Sequence, residues 1–178
     1  MMKLKLELCV LMSALCFFTA FSYRAEEAKG SAVRPTYWPL TINGYIYDQI
    51  ELAFKEEEQI KGLMDRDVLA ENGGMLFVYD SMSTRSFWMK NCRVDLDLIY
   101  MDSEGVIVSM HRMKMERARQ RSESEEAYYD RLPAYPSGKP AQFVLELAGG
   151  QLDFLGLQVG DKLDIGISEL LGMYRKFR

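Results

Sequence analysis

The middle of the chain contains residues of types that bind small ligands, at a spacing that suggests one shared surface. Residues 86–101 alternate between apolar and polar types, which predicts an antiparallel hairpin. Such a hairpin places Lys90 opposite Asp97 and leaves both on one face with Trp88. An aromatic ring beside a charge pair suits a concave binding site, and Arg66 could add a cation for an anionic group. The predicted ligand-binding residues are Arg66, Trp88, Lys90, Asn91 and Asp97.

This surface supports two interpretations, and the sequence leaves both open. In an enzyme acting on a small anionic substrate, Lys90 would serve as acid, base or electrostatic stabiliser, and Asp97 would orient it. That chemistry requires a shifted pKa at one of the two groups, which a sequence does not reveal. The simpler interpretation is a cross-strand ion pair worth about 0–1 kcal/mol, with Trp88 packed against another layer. We therefore assign no catalytic residue.

A second group of residues has the chemistry of a copper site. The segment 110–115 holds three thioether side chains together with the single histidine of the chain. Soft sulfur ligands select Cu(I). Against a metal site, Arg112 and Lys114 would repel a cation, and methionine also fills gaps in ordinary cores. The candidate copper ligands are Met110, His111, Met113 and Met115. Copper handling is therefore an alternative function, and no other metal or cofactor is expected.

The first 22 residues have the features of a secretory signal peptide. Lys3 and Lys5 precede Leu8–Phe21, a run of 14 residues without charge. An apolar run of about 7–15 residues fits a signal peptide, whereas a membrane-spanning helix needs about 20. We expect an exported protein, periplasmic or otherwise extracytoplasmic, which contacts the membrane only through this segment if the segment stays uncleaved. After cleavage, Cys92 would be the one remaining cysteine, either buried and inert or a reactive thiol.

The rest of the chain has the size and composition of one globular domain. The protein has 178 residues, of which 48% are apolar, and a formal net charge of −4, which argues against a general nucleic-acid binder. We expect a linker at residues 23–39, a single domain at 40–172 and a tail at 173–178. Short strand patterns between turn signals, with helices near 56–64 and 151–155, indicate an α+β fold. We expect a β-rich, mostly antiparallel sheet or barrel-like core with two short helices.

Six short sequences occur in one order between residues 50 and 161. They are IELAFKEEEQIKGLMDR, GGMLFVYD, RSFWMKN, LDLIYMDSEG, QFVLEL and LGLQVGD. This ordered set resembles the DUF192 family of small, frequently exported bacterial and archaeal proteins. The resemblance implies a compact, β-rich α+β domain, and it assigns no reaction and no catalytic residues. Cys92 stands where the family usually has threonine, and 122–140 lacks the cysteine pair of many relatives, so no disulfide or redox role is inferred.

These observations predict a non-enzymatic binding or accessory module of the cell envelope. The expected partner is a small molecule or a protein of the envelope, and no nucleic acid is expected. The expected binding surface is the one formed by Trp88, Lys90 and Asp97, with Arg66 nearby and the charged segment 112–139 at its border. The enzyme acting through Lys90 and Asp97 and the copper protein remain the alternatives.

Overall fold

The computed structural model describes residues 37–178, and its centre is a five-stranded sheet. The strands in this part of the chain are β1 (Leu40–Ile42), β2 (Tyr45–Tyr47), β3 (Gln49–Ala53), β4 (Gly73–Ser83), β5 (Ser86–Phe87), β6 (Leu96–Met101), β7 (Ile107–Met113), β8 (Tyr135–Pro136) and β9 (Ala141–Ala148). The sheet has the order β3-β4-β9-β6-β7, parallel between β3 and β4 and antiparallel elsewhere. Two small sheets pair β1 with β2 and β5 with β8. The expected α+β fold with a mostly antiparallel sheet is confirmed.

The described residues form four helices, two more than the sequence patterns predict. They are α1 (Glu56–Lys61), α2 (Glu125–Asp130), α3 (Gln151–Leu155) and α4 (Ile167–Phe177). The extra helix α2 begins where the Ser124 side chain accepts a hydrogen bond from the backbone N–H of Ala127. The expectation of a tail at 173–178 is wrong, because α4 continues to Phe177 and buries Leu170 and Tyr174, four residues apart on one face.

The sheet separates two hydrophobic cores, because successive side chains of a strand point to opposite faces. On β6, Ile99 belongs to the first core with residues of α3, α4 and the β1–β2 pair. Leu98 and Tyr100 belong to the second core, together with Leu63 and Met89 from the loops. Strand β6, which lies between β9 and β7, is buried along its whole length. The second core is therefore covered mainly by irregular segments.

The expected hairpin between 86–91 and 96–101 is wrong. Strand β5 ends at Phe87 and pairs with β8, whereas β6 pairs with β7 and β9. The alternation in 86–101 also predicts one apolar face that includes Met89, Leu98 and Tyr100, and these three side chains do lie together in the second core. Alternation predicts which side chains share a face, but it does not predict which strand lies alongside.

The structure bears on only the last residues of the expected N-terminal linker, because the described part of the chain begins at residue 37. The expected signal peptide 1–22, and the expected linker as far as residue 36, lie outside the described residues. Trp38, within the expected linker, belongs to the domain: its backbone N–H donates to Ile50 O at 2.7 Å and its Nε1 donates to Ile165 O at 3.0 Å. From residue 37 to residue 178, no helix has the length and apolar character needed to cross a membrane.

Candidate functional site

A pocket of about 700 Å³ opens on the second-core side of the sheet. Three parts of the chain line it: residues 56–65, which comprise α1 and the turn after it; residues 86–92; and the strands β4 and β9. Its volume lies in the range of about 300–1,000 Å³ that is usual for small-molecule sites. It is therefore large enough for a ligand of metabolite size.

The inner surface of the pocket carries a buried carboxyl group, that of Glu146 on β9. The residue is only 4% exposed, and among the described residues its Oε2 atom has no hydrogen-bond partner. Burial raises the pKa of Glu146 to about 8, although the positive charge of Arg66 acts in the opposite direction. Buried polar groups in folded proteins are nearly always hydrogen-bonded, so this atom is placed to accept a hydrogen bond from a donor inside the pocket.

Gly62, directly after α1, brings the backbone close to this carboxyl. A Cβ atom at this position would lie 3.7 Å from Glu146 Oε2 and 3.4 Å from the ring of Phe77. The residue also has a φ angle of +47°, which favours glycine. The positive φ explains the glycine, because a Cβ atom at these distances would make only ordinary van der Waals contacts. The same distances place the turn beside the carboxyl.

Aromatic rings form much of the remaining lining. Phe77 and Phe87 meet edge to face, with ring centroids 4.9 Å apart. Tyr79 lines the pocket as well, and its ring stacks against the Arg85 guanidinium at 3.3 Å. Trp88 also lines the pocket, and its side chain is 41% exposed. The inner lining thus combines the buried Glu146 carboxyl group with π faces.

Lys90 reaches the pocket but is held by α2. Its Nζ donates a hydrogen bond of 2.7 Å to the Tyr129 hydroxyl and lies 4.4 Å from the centroid of that ring. The rings of Trp88 and Tyr129 are also in contact, with centroids 5.3 Å apart. Helix α2, which belongs to the charged segment 112–139, therefore orders two of the predicted ligand-binding residues, Trp88 and Lys90, without lining the pocket itself.

Asn91 has a structural role in this arrangement. Its backbone N–H donates to the Tyr128 hydroxyl at 2.9 Å, and that hydroxyl lies 3.3 Å from Asn91 Oδ1. Asn91 also adopts a positive φ of 53° and accepts a hydrogen bond from the backbone N–H of Asp65. It ties α2 to the two loops that line the pocket.

Arg66 lies near the pocket without lining it. Its guanidinium forms a two-point ion pair with Glu51 on β3, through Nη1 to Oε1 and Nη2 to Oε2. The hydrogen bond with Glu51 raises the pKa of Arg66 further. Arg66 acts on Glu146 through its charge, but no hydrogen bond joins the two side chains.

Asp97 does not join Lys90, and the predicted charge pair is wrong. The side chain shares a strand face with Ile99 and so points into the first core, away from the pocket. Its Oδ2 accepts a hydrogen bond of 2.7 Å from the backbone N–H of Leu152 in α3. Burial raises the pKa of Asp97, and hydrogen bonds from Leu152 and Gly150 act against that rise. Asp97 fastens α3 to the sheet.

The candidate copper ligands do not converge. Met110 packs against the first core, whereas Met113 is buried in the second core on the opposite face of the sheet. Met115 lies beyond the end of β7 and is exposed, and His111 Nε2 lies 2.8 Å from the carbonyl oxygen of Pro136. The four side chains cannot bind one ion because the sheet lies between them. Nor do the described residues contain a group of three His, Cys, Asp or Glu side chains that could hold a metal.

Cys92 lines the pocket as a buried thiol. It is 7% exposed, and burial raises its pKa to about 12, with the Glu146 charge adding to the effect. The sulfur therefore stays protonated near neutral pH and is a poor nucleophile.

Glu146 is the residue that analysis of the sequence missed. The signal was a single carboxylate within a mostly apolar strand, AQFVLEL. Alternation places Glu146 on the same face as Val144, a buried residue of the second core. A charged residue on a buried strand face needs a partner or a function, and that argument was open from the sequence alone.

Two solved structures share this fold. The first is a "putative transcription regulator" from Sinorhizobium meliloti 1021, with 28% identity, a TM-score of 0.58 and coverage of 76% of this chain and 99% of the other. The second, a protein of unknown function from Novosphingobium aromaticivorans, has 30% identity, a TM-score of 0.56 and coverage of 79% and 96%. No curated protein matches the chain.

A family model also matches, over residues 40–165. It is the model of DUF192, described as an uncharacterized ACR. The match covers both walls of the pocket, the strand that carries Glu146 and every strand of the central sheet. The protein therefore belongs to the DUF192 family.

Proposed function

We propose that the protein is a binding module whose ligand is a small organic molecule held in the pocket between α1, residues 86–92 and the sheet. The observation that carries the proposal is the buried Glu146 carboxyl, which lines the pocket without a hydrogen-bond partner for Oε2 among the described residues. Leaving a buried polar atom unpaired costs about 1–3 kcal/mol. A ligand that donates a hydrogen bond to this atom recovers that free energy.

The shape and composition of the site favour a small molecule over a protein partner. A protein partner would need an exposed surface of several hundred Å² on this side, with a buried apolar centre. Here the aromatic side chains Phe77 and Phe87 are buried or half-buried inside a concavity rather than displayed on a surface. A concave apolar lining with a few placed polar groups is typical of small-molecule sites.

The cell envelope is the compartment that we propose for this binding. The support is the composition of residues 1–22, with two lysines ahead of an uncharged run. The net charge of −4 gives no support for transferring a nucleic-acid role from the similar protein of Sinorhizobium meliloti. A periplasmic or otherwise extracytoplasmic binding module accounts for both the leader and the pocket.

The pocket also bears on the two alternatives. An enzyme acting through Lys90 and Asp97 would need the two groups together, and they lie on different sides of the sheet. A copper site would need Met110 and Met113 on one face, and they lie on opposite faces. The residues that each alternative requires therefore lie apart, whereas the residues that line the pocket lie together.

Native mass spectrometry of the protein purified from its own cells tests the proposal. We expect the wild-type protein to carry an organic adduct, and the Phe87→Ala variant to lose most of it because a wall of the pocket is removed. The matched control is Phe154→Ala, which removes an exposed phenylalanine outside the pocket and should leave the adduct in place. An adduct that Phe87→Ala retains in full would place the binding site elsewhere.

A further inference from the structure

We propose that the ligand carries an ammonium group that pairs with Glu146, while its apolar body packs against the aromatic lining of the pocket. This inference rests on the proposed function and specifies the class of ligand. It starts from the same buried carboxyl, of which one oxygen lacks a partner within residues 37–178. A carboxylate accepts hydrogen bonds and attracts a cation, and an ammonium group supplies three donors together with the charge.

Three of the protein's own cations in this neighbourhood have other partners. Arg66 is committed to Glu51 through both of its terminal nitrogens. Arg85 donates to the carbonyl oxygens of Ala141 and Ser81 and stacks on a tyrosine ring. Lys90 donates to a tyrosine hydroxyl of α2. None of the three donates to Glu146, and no ion pair joins Glu146 to Lys61, the exposed lysine that also lines the pocket. A cation that pairs with the ionised carboxyl can therefore come from the ligand.

The lining of the pocket suits an organic cation. Phenylalanine, tyrosine and tryptophan rings attract ammonium groups through their π faces. The charged residues of the lining are predominantly acidic: Glu56, Glu57, Asp65 and Glu146 against Lys61 and Lys90. That balance favours the entry of a cation and opposes that of an anion. A metal ion would need further ligands of its own, and no such cluster exists among the described residues.

Binding of a cation must be coupled to the ionisation of Glu146. In the empty pocket the pKa of this group is about 8, so it is mostly protonated at pH 7. An ammonium group stabilises the ionised form, and the complex therefore releases a proton when it forms at neutral pH. The other groups that interact with this carboxyl do not titrate in that range: Arg66 remains charged, and burial holds the pKa values of Tyr79, Cys92 and Tyr100 high.

The experiment uses Trp88 as a reporter in the full-length Trp38→Phe protein, which leaves it as the one tryptophan. Three probes of similar shape are titrated: 4-phenylbutylammonium, 4-phenylbutanol and 4-phenylbutyrate. We expect the ammonium probe to bind at least tenfold more tightly than the other two at pH 9. Its affinity should rise about tenfold from pH 7 to pH 9 as Glu146 ionises, because an alkylammonium with a pKa of about 10.4 stays charged throughout.

Two variants assign the effect to Glu146. Glu146→Gln should remove both the preference for the ammonium probe and its pH dependence. Glu71→Gln, a control at an exposed carboxylate outside the pocket, should preserve both. If Glu146→Gln does not fold, the pH profile of the parent protein decides alone.

Equal binding of the alcohol, or binding of the ammonium probe that is independent of pH, would overturn the ammonium assignment and leave the pocket as a binding site. Tighter binding of 4-phenylbutyrate would overturn it in favour of an anionic ligand. Absence of binding by all three probes also overturns it, and the adduct measured by native mass spectrometry then tests the proposed function separately.

Discussion

At the scale of single residues, the carboxyl group of Glu146 connects stability with binding. Its environment holds the acid in the neutral form, because burial opposes the negative charge more strongly than Arg66 favours it. Burying a carboxyl oxygen without a hydrogen-bond partner costs free energy of folding, and a ligand that donates to this oxygen offsets that cost. Binding sites commonly contain such perturbed groups, and here the perturbation coincides with a pocket and an unpaired oxygen.

The raised pKa of Glu146 predicts how stability depends on pH. In the unfolded chain the group titrates near 4.5, and in the folded protein near 8, so between these values the folded state binds more protons. The free energy of unfolding should therefore fall as pH rises through this window, by up to about 1.4 kcal/mol per pH unit, and level off above it. Urea unfolding at pH 5.5, 6.5 and 7.5 measures this fall.

Glu146→Gln supplies the comparison for that measurement. The variant has no titrating group at this position, so its stability should fall less steeply over the same range. The difference between the two slopes isolates Glu146 from the other carboxylates of the chain. Parallel slopes for the two proteins would show that the group titrates normally and is in contact with water.

At the scale of elements, the two helices that the sequence patterns missed have distinct roles. Helix α2 orders one border of the pocket through the hydroxyl groups of Tyr128 and Tyr129. Helix α4 closes the first core with Leu170 and Tyr174. Helix α2 is short and buries only Tyr128, whereas α4 has an apolar face at helical spacing that packs on the first core. Tertiary packing stabilises such short amphipathic segments more than their intrinsic propensity does.

Truncating Tyr174 tests whether α4 is part of the domain or a dispensable tail. The ring is buried and meets Phe54 edge to face at 5.8 Å. We expect Tyr174→Ala to lower the free energy of unfolding by about 3 kcal/mol, since it opens a cavity in the first core. Lys176→Ala, at an exposed position two residues further on, should change it by less than about 0.5 kcal/mol. A Tyr174→Ala protein as stable as the parent would restore the expectation of a tail.

At the scale of the whole molecule, the two faces of the central sheet have different roles: one packs against helices, and the other carries the pocket. The first core, closed by α3, α4 and the β1–β2 pair, carries most of the regular packing. The second face is covered by loops, and there the pocket lies. Loops on a rigid sheet can line a cavity that two tightly packed layers would fill. The Asp97 carboxyl on one face holds a helix, whereas the Glu146 carboxyl on the other faces a pocket.

The N-terminal boundary of the domain can be tested at Trp38. Trp38 packs against the first core and donates to Ile165, far along the chain, so the domain begins before residue 40. In the full-length protein we expect Trp38→Ala to cost about 2–3 kcal/mol, less than for a fully buried ring. Its neighbour Tyr37 is exposed, and Tyr37→Ala should be nearly neutral in the same urea titration. If both variants lost the same free energy of unfolding, Trp38 would belong to the linker and not to the domain.

Much of the fold could be predicted from local pattern. The turn at Asn43–Gly44 has the two positive φ angles that its sequence favours, and the apolar run 75–79 becomes part of β4. The shared face of Met89, Leu98 and Tyr100 was also predicted. The candidate site was predicted less well: Trp88 and Lys90 line the pocket, Asn91 and Arg66 support it, and Asp97 belongs elsewhere.

The sequence by itself determined the family, through six motifs in one order, and the α+β class. The class could be predicted because periodicity and turn chemistry act over a few neighbouring residues. The tertiary structure alone decided that β6 lies between β7 and β9 rather than beside β5, since pairing depends on packing across the whole sheet. The same packing placed Lys90 and Asp97 on different sides and enclosed Glu146 with an unpaired oxygen. Whether a carboxylate is paired depends on distant residues, and here that pairing is what distinguishes a structural acid from a candidate binding group.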